Sequence, residues 1–214
     1  MHKKVMSAIA LLPLLSLPIL TFNSQNLGFN PLNTQISRNF IQDLLIPSAG
    51  AVQLRDGKTY FVQLPTLLYA ETTINRTNAW GATYYFVLDL PQNLGEPLQK
   101  LEISQAEGFE TLNFIGNDTF AYLQPESGDR VSVPTKMEIS PSSDGDRPKV
   151  VVTFDPPLPA SNGLTRRLVV GLRPVRNPRY DGVYLFGVVA LPKGDRPNSQ
   201  FLGYGRLNFY SSRH

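Results

Sequence analysis

The chain of 214 residues contains no cysteine, and its two histidines, His2 and His214, lie near its two ends. The body of the sequence therefore has no thiol and no imidazole. These absences exclude disulfides, Cys-His and Ser-His nucleophilic catalysis, zinc and haem sites that need Cys or His, and a cysteine-linked lipid anchor. We expect no cofactor and no metal site, so any catalysis would depend on carboxylates alone.

The N-terminal segment is typical of an export signal. Lys3 and Lys4 precede an uncharged run at positions 5–22 that is rich in leucine, isoleucine and alanine. A retained membrane anchor is one alternative, because roughly 18–20 apolar residues span a bilayer, and a buried core helix is another. Pro13 and Pro18 interrupt the run and favour a cleaved signal.

The sequence divides into four parts. We predict a signal peptide at residues 1–25, a flexible linker at 26–51, a β-domain at 52–210 and a short tail at 211–214. Cleavage as late as position 51 is the alternative, because Ala49-Gly50-Ala51 is an A-x-A sequence directly before the first strand-like segment. The expected location is an exported compartment.

From position 59 onward apolar and polar residues alternate with period two, which indicates half-buried β-strands. Segments 82–90, 149–155 and 166–173 alternate in this way. In the first of them the inward face is predicted to carry Tyr84, Phe86, Leu88 and Leu90. The 16 Gly and 18 Pro of the chain supply turns between such runs. We therefore predict a single all-β domain, an antiparallel immunoglobulin-like sandwich of about eight to ten strands, with a closed barrel as the alternative.

Charge is distributed unevenly along the chain. Residues 52–165 carry 8 Lys+Arg and 14 Asp+Glu, a net of −6, and residues 166–214 carry 9 and 2, a net of +7. Either the surface is polarised or the basic C-terminal strands pair with acidic earlier ones. Nucleic acid is not an expected partner, because an exported protein of near-neutral net charge lacks a broad basic footprint.

The most distinctive local sequence contains Arg173, Arg176 and Arg179, followed by Tyr180. Prolines in this segment favour an extended path with about three residues per turn, which would align the three guanidinium groups along one edge. We predict these four residues as a ligand-binding site for an acidic protein or an anionic polysaccharide. The alternative is structural: each arginine pairs with a carboxylate of the acidic part and holds a loop in place.

Other candidate sites have simpler interpretations. Trp80, the single tryptophan, leads into a strong strand and is predicted to lie in the core rather than to form a sugar-stacking platform. Asp144 and Asp146 are interpreted as part of a solvated turn rather than as Ca²⁺ ligands. The alternative function is a carboxylate-dependent hydrolase of envelope polysaccharide, although no spacing marks a catalytic pair. Its candidate carboxylates are Glu71, Glu96, Glu107, Glu110, Glu126 and Glu138.

Seven short motifs within positions 52–210 are distinctive when taken together. They are DGKTYF at 56–61, NAWGATYYF at 78–86, GEPL at 95–98, TFDPP at 153–157, VGLRPVRNP at 170–178, GVYLFG at 182–187 and FLGYGRL at 201–207. This combination resembles an uncharacterised family of exported proteins, known chiefly from cyanobacteria and classified as a domain of unknown function. The resemblance implies a location in the periplasm, in the thylakoid lumen or outside the cell, and it implies no activity. Because the body of the sequence has no Cys and no His, we expect an exported, non-catalytic binding or structural module.

Overall fold

The structure is a computed structural model and describes residues 52–53, 57–125, 129–142, 145–159 and 166–211. The predicted signal peptide, the linker with its alternative cleavage position, nearly all of the tail, and the side chains of Asp144 and Asp146 lie outside the described residues. Within the described part of the chain, no helix has the length and apolar character that a membrane crossing requires.

Twelve strands account for most of the described residues. They are β1 (Val52–Gln53), β2 (Thr59–Tyr60), β3 (Thr66–Thr72), β4 (Tyr84–Leu90), β5 (Leu98–Glu107), β6 (Phe120–Pro125), β7 (Val131–Val133), β8 (Thr135–Ser142), β9 (Gly145–Leu158), β10 (Arg166–Leu172), β11 (Gly182–Pro192) and β12 (Gln200–Phe209). One 3-10 turn, Gly116–Asp118, precedes β6. The described residues contain no α-helix, as the period-two alternation predicted.

The strands form two five-stranded antiparallel sheets. The first has the order β3-β4-β10-β6-β7 and the second the order β12-β11-β5-β9-β8, while β1 and β2 pair with each other. If β3, β4, β5, β6, β10, β11 and β12 are lettered A to G, the sheets read A-B-E-D and G-F-C. This is the immunoglobulin arrangement, and the inserted strands β7, β8 and β9 extend the two sheets.

The predicted fold class is therefore confirmed, and the ten strands of the two sheets agree with the expected number. The alternative of a closed barrel is wrong, because each sheet ends in edge strands. The first sheet ends at β3 and β7, and the second at β12 and β8.

The core lies between the two sheets and contains the inward residues that the alternation predicted. Tyr84, Phe86, Leu88 and Leu90 of β4 are all 0% exposed. From the facing sheet, the ring of Phe186 on β11 lies 5.8 Å from that of Phe86 and 6.2 Å from that of Tyr84, measured between centroids. Burying each such side chain stabilises the fold by roughly 1.5–3 kcal/mol.

The loops after β3, β5 and β10 meet at one end of the sandwich, which we call the loop end (residues 73–83, 108–119 and 173–181). Backbone hydrogen bonds join them. Ile115 N–H donates to Arg173 O at 2.8 Å, and Asn78 N–H donates to Pro178 O at 2.8 Å. The arginine segment therefore lies between two other loops and is held by both.

Candidate functional site

A buried asparagine, Asn177, anchors the arginine segment. It is 1% exposed, and its Oδ1 accepts a 2.9 Å hydrogen bond from the Tyr84 hydroxyl. Its Nδ2 donates to Ile74 O at 2.8 Å and to Arg76 O at 2.9 Å, and its backbone N–H donates to Ala79 O at 2.8 Å. The side-chain amide therefore has hydrogen-bond partners for both its oxygen and its nitrogen. These bonds hold the backbone from which the neighbouring arginines project.

Trp80 is 66% exposed, so its predicted place in the core is wrong. The chain turns before β4 begins: Asn78 has a φ of 58° and Gly81 a φ of 76°, both in the left-handed region. Trp80 lies on this turn and its ring faces solvent. The aromatic positions of the core are taken by Tyr84 and Phe86, which follow on the strand itself.

Arg173 and Arg176 both lie at this turn. Arg173 Nη1 donates to Gly81 O at 3.2 Å. The guanidinium carbon of Arg176 lies 5.8 Å from the centroid of the Trp80 ring, within the range of a cation–π contact. Two of the predicted arginines are therefore grouped around the exposed tryptophan.

Arg179 is held by Glu110. Its Nε donates to Glu110 Oε2 at 2.8 Å, and its backbone N–H donates to the other carboxylate oxygen. Burial would raise the pKa of Glu110, but these two hydrogen bonds and the charges of Arg179 and Arg176 together hold that pKa below its ordinary value. The carboxylate therefore stays ionised, and Arg179 makes the loop-holding ion pair that the structural interpretation predicted. Tyr180, the fourth predicted residue, is 54% exposed beside it, with the Arg179 guanidinium 5.7 Å from its ring centroid.

A shallow depression of about 310 Å³ lies among these groups, and its lining includes Trp80, Arg176, Glu110 and Val175. We call the surrounding residues the Arg–Trp surface, defined as Trp80, Arg173, Arg176, Arg179 and Tyr180; Trp80, Arg179 and Tyr180 are exposed, and Arg173 and Arg176 are half-buried. The structure brings all four predicted site residues to the loop end. Sequence reasoning missed Trp80 as a surface residue, and the signal that identifies it is Gly81, directly after the tryptophan and before the strand.

The carboxylates needed by a hydrolase are not paired in the described depressions. Three depressions on the described surface each include one acidic side chain in their lining: Asp195, Glu110 and Glu71. Glycosidases use two carboxyl groups on either side of the bond that breaks. Glu138 instead forms an exposed ion pair with Lys136 at 2.7 Å, and Glu126 lies outside the described residues. Among the residues that the structure describes, no group of three or more His, Asp or Glu side chains is placed to hold a metal ion.

Several solved structures are distantly similar. ACE19, the collagen-binding subdomain of the Enterococcus faecalis surface protein ACE, is 8% identical over 68% of this chain and 98% of its own, with a TM-score of 0.34. The full-length major pilin SpaD of Corynebacterium diphtheriae is 14% identical over 64% of this chain and 34% of its own, with a TM-score of 0.36. A cohesin module of a Clostridium perfringens family 33 glycoside hydrolase is 13% identical over 69% of this chain and 99% of its own, with a TM-score of 0.33. At such identities and TM-scores, these likenesses indicate no function.

No curated protein sequence matches the chain. A family model described as protein of unknown function (DUF2808) matches residues 58–209, which include every strand from β2 to β12. This match covers more than half of the chain and confirms the expected membership of an uncharacterised domain family. The chain belongs to the DUF2808 family of proteins of unknown function.

Proposed function

We propose that this protein is an exported, non-catalytic binding module whose Arg–Trp surface recognises an acidic protein or an anionic polysaccharide. The observation that carries the proposal is the exposed ring of Trp80 with the Arg176 guanidinium beside it, at the edge of a shallow depression. Export is supported by the uncharged run at positions 5–22. The compartment that we propose is the periplasm, the thylakoid lumen or the exterior of the cell.

Trp80 and the arginines supply complementary parts of a binding surface. The flat indole ring offers apolar area at little cost in side-chain entropy, and an arginine fork binds carboxylate or sulfate oxygens in pairs. Tryptophan, tyrosine and arginine are also the residues that dominate the binding energy of protein interfaces. A ligand that carries an anionic group next to an apolar face fits this combination.

The three arginines differ in how much charge they offer a ligand. Glu110 neutralises much of the charge of Arg179. Arg173 uses an N–H group on Gly81 O, out of the five donors of a guanidinium. Arg176 both contacts the tryptophan and lines the depression. We therefore assign the principal contact with the anion to Arg176, and supporting roles to Arg173 and Arg179.

No observation favours the alternative of a carboxylate-dependent hydrolase of envelope polysaccharide. The depression at the Arg–Trp surface has Glu110 as its acidic lining residue, and that carboxylate is committed to Arg179. A general acid needs a raised pKa near the working pH, whereas the pKa of Glu110 is lowered.

The proposal is tested by titrating the protein with polygalacturonate and with poly-glutamate, using neutral dextran as the reference, at low and at physiological salt. We expect Arg176→Ala to weaken binding of at least one polyanion about tenfold, the equivalent of one lost charge-assisted contact. Trp80→Ala is expected to weaken the same binding by about as much, because it removes the aromatic face of the surface. The triple variant of Arg173, Arg176 and Arg179 to alanine is expected to abolish binding and to retain the circular dichroism spectrum of a folded sandwich.

A charge-matched control separates the site from long-range attraction. Lys193, Arg196 and Arg206 are exposed residues outside the loop end, and replacing all three by alanine removes the same charge. If this control weakens binding as much as the triple site variant does, the Arg–Trp surface is not the binding site. Glu110→Gln provides a second check, because it raises the positive charge of the surface and is expected to strengthen binding.

A further inference from the structure

The outer face of the first sheet carries a second feature that the Arg–Trp surface does not include. Strand pairing aligns four residues across this face in the order Tyr69 on β3, Val87 on β4, Val169 on β10 and Tyr122 on β6. Val87, Val169 and Tyr122 point away from the core, because each alternates with residues buried between the sheets. Tyr69 is paired with Val87 in this row and is 46% exposed. Two tyrosines therefore flank two valines in one row across four strands.

The row forms the bottom and the sides of a groove. Val87 and Val169 are 3% and 4% exposed although they lie on the outer face, so the taller side chains around them shield them from water. Tyr69 and Tyr122 lie at the ends of the row, and Tyr85 lies in the neighbouring row of β4. These five residues line a depression of about 230 Å³.

Polar groups converge on the same groove from different strands. The Arg130 guanidinium lies 4.8 Å from the centroid of the Tyr122 ring, and Glu71, Gln124 and Arg167 complete the rim. Burial raises the pKa of the Tyr122 hydroxyl; the charge of Arg130 opposes the rise, and Tyr85, Glu71 and Tyr69 reinforce it. This phenol is therefore protonated at neutral pH and available as a hydrogen-bond donor.

The charges of the groove balance. Arg130 and Arg167 are positive and Glu71 is negative. Asp89 stands directly opposite Arg167 in the pairing of β4 with β10 and supplies a second negative charge. A polyanion would gain little net attraction here, in contrast to the Arg–Trp surface with its excess of arginine.

We propose that this groove, which we name the tyrosine groove after Tyr69, Tyr85 and Tyr122, binds one ring of a neutral hexopyranose glycan. A pyranose has apolar C–H faces that pack against the tyrosine rings, and it has hydroxyls around its edge. Those hydroxyls match a rim that combines a carboxylate, guanidinium groups, phenols and an amide. The volume lies below the roughly 300–1,000 Å³ of pockets for drug-sized ligands, so the unit that enters is small.

The polar rim argues against a second copy of this chain as the occupant. A stable protein interface buries roughly 800 Å² on each partner, which would take Arg130, Arg167 and Glu71 out of water together. Desolvating charged groups is costly unless each gains a partner. A single sugar ring covers part of the tyrosine surface, and its hydroxyls can replace the water molecules that these charged groups lose.

The test uses the full chain and four neutral hexasaccharides: cellohexaose, laminarihexaose, mannohexaose and maltohexaose. Binding at millimolar concentration is followed by saturation-transfer NMR and by amide shift changes in the protein. We expect at least one of them to shift amides of β3, β4, β6 and β10. We further expect Tyr69→Ala and Tyr122→Ala each to weaken that binding about tenfold, and Tyr122→Phe, which keeps the ring, to weaken it less.

Two matched controls make the outcome specific. Tyr204→Ala removes a tyrosine that is 59% exposed from the other sheet, and Trp80→Ala disables the Arg–Trp surface; neither is expected to change binding in the groove. If Tyr204→Ala or Trp80→Ala lowers binding as much as Tyr122→Ala, the groove is not the site. Because Trp80→Ala removes part of the Arg–Trp surface, glycan binding by this variant tests the groove independently of the proposed anion site.

Three results would overturn the proposal. The first is the absence of any shift with all four glycans. The second is that polygalacturonate binds this face more tightly than any neutral glycan and that Glu71→Gln strengthens this binding, because the groove would then be an anion site. The third is a dimer in sedimentation that Tyr69→Ala and Tyr122→Ala convert to a monomer, because the occupant would then be a second copy of the chain.

Discussion

At the scale of single residues, the loop end depends on one buried amide. Asn177 joins the arginine segment to the loop after β3 through Ile74 and Arg76, and to β4 through the hydroxyl of Tyr84. Burial raises the pKa of Tyr84 far above its ordinary value, so its hydroxyl remains a donor at any physiological pH. The arrangement orders the loop that carries Arg176.

Replacing Asn177 by alanine is expected to destabilise the protein by about 2–4 kcal/mol, because it removes three side-chain hydrogen bonds and leaves the buried Tyr84 hydroxyl without its acceptor. Ile74 O keeps a hydrogen bond from Thr72 Oγ1. For a domain of this size the melting temperature falls by roughly 5–15 °C. Tyr84→Phe removes one of the three bonds and is expected to cost less, about 1–2 kcal/mol. Thermal unfolding followed by circular dichroism measures both variants. Equal losses would show that the two bonds to the backbone carbonyls contribute nothing.

At the scale of elements, the strands follow from side-chain alternation and the turns from glycine. In β9 and β10, as in β4, the residues expected to face inward are buried, among them Val152, Phe154 and Leu168. The exact turns depend on local backbone conformation. Gly108, directly after β5, has a φ of 137°, and a Cβ at this position would lie 2.3 Å from Cδ1 of the buried Tyr184 ring.

Gly108→Ala is therefore expected to destabilise the protein by about 2 kcal/mol or more, since both the backbone conformation and the Tyr184 ring oppose a side chain. Gly116→Ala is the matched control: a Cβ there meets nothing within 4 Å, and its φ is not in the left-handed region. This control is expected to be neutral or to stabilise the protein by up to about 1 kcal/mol. Urea denaturation compares the two variants, and a neutral Gly108→Ala would show that the β5–β6 loop adapts to a side chain.

At the scale of the whole molecule, aromatic packing joins the two sheets, and charge contacts join the acidic and the basic parts of the chain. Phe186 on the second sheet meets Phe86 and Tyr84 on the first. The ion pair of Arg179 with Glu110 joins the basic C-terminal part of the chain to its acidic earlier part. The pairing of β10 with β4 also brings a basic and an acidic residue together, because Arg167 stands opposite Asp89. Part of the charge asymmetry seen in the sequence is thus balanced locally.

Phe186→Ala is expected to lower the free energy of unfolding by about 3–5 kcal/mol, because it removes a fully buried ring and leaves a cavity between the sheets. Phe201, which is 54% exposed on the second sheet, is the matched control, and Phe201→Ala is expected to cost less than about 1 kcal/mol. Urea titration should show a lower midpoint for Phe186→Ala with an unchanged m-value. Similar losses for the two variants would contradict the described core.

The sequence by itself determined the fold class, the inward face of the main strands and the arginines as a group, because alternation, turn residues and charge are local properties of the chain. The tertiary structure decided which strands pair, that Trp80 faces solvent, that Glu110 binds Arg179, and that four strands bring Tyr69, Val87, Val169 and Tyr122 into one row. These features join residues from separate strands and loops. Their positions relative to one another depend on strand pairing and on the packing of the two sheets, which no local pattern encodes.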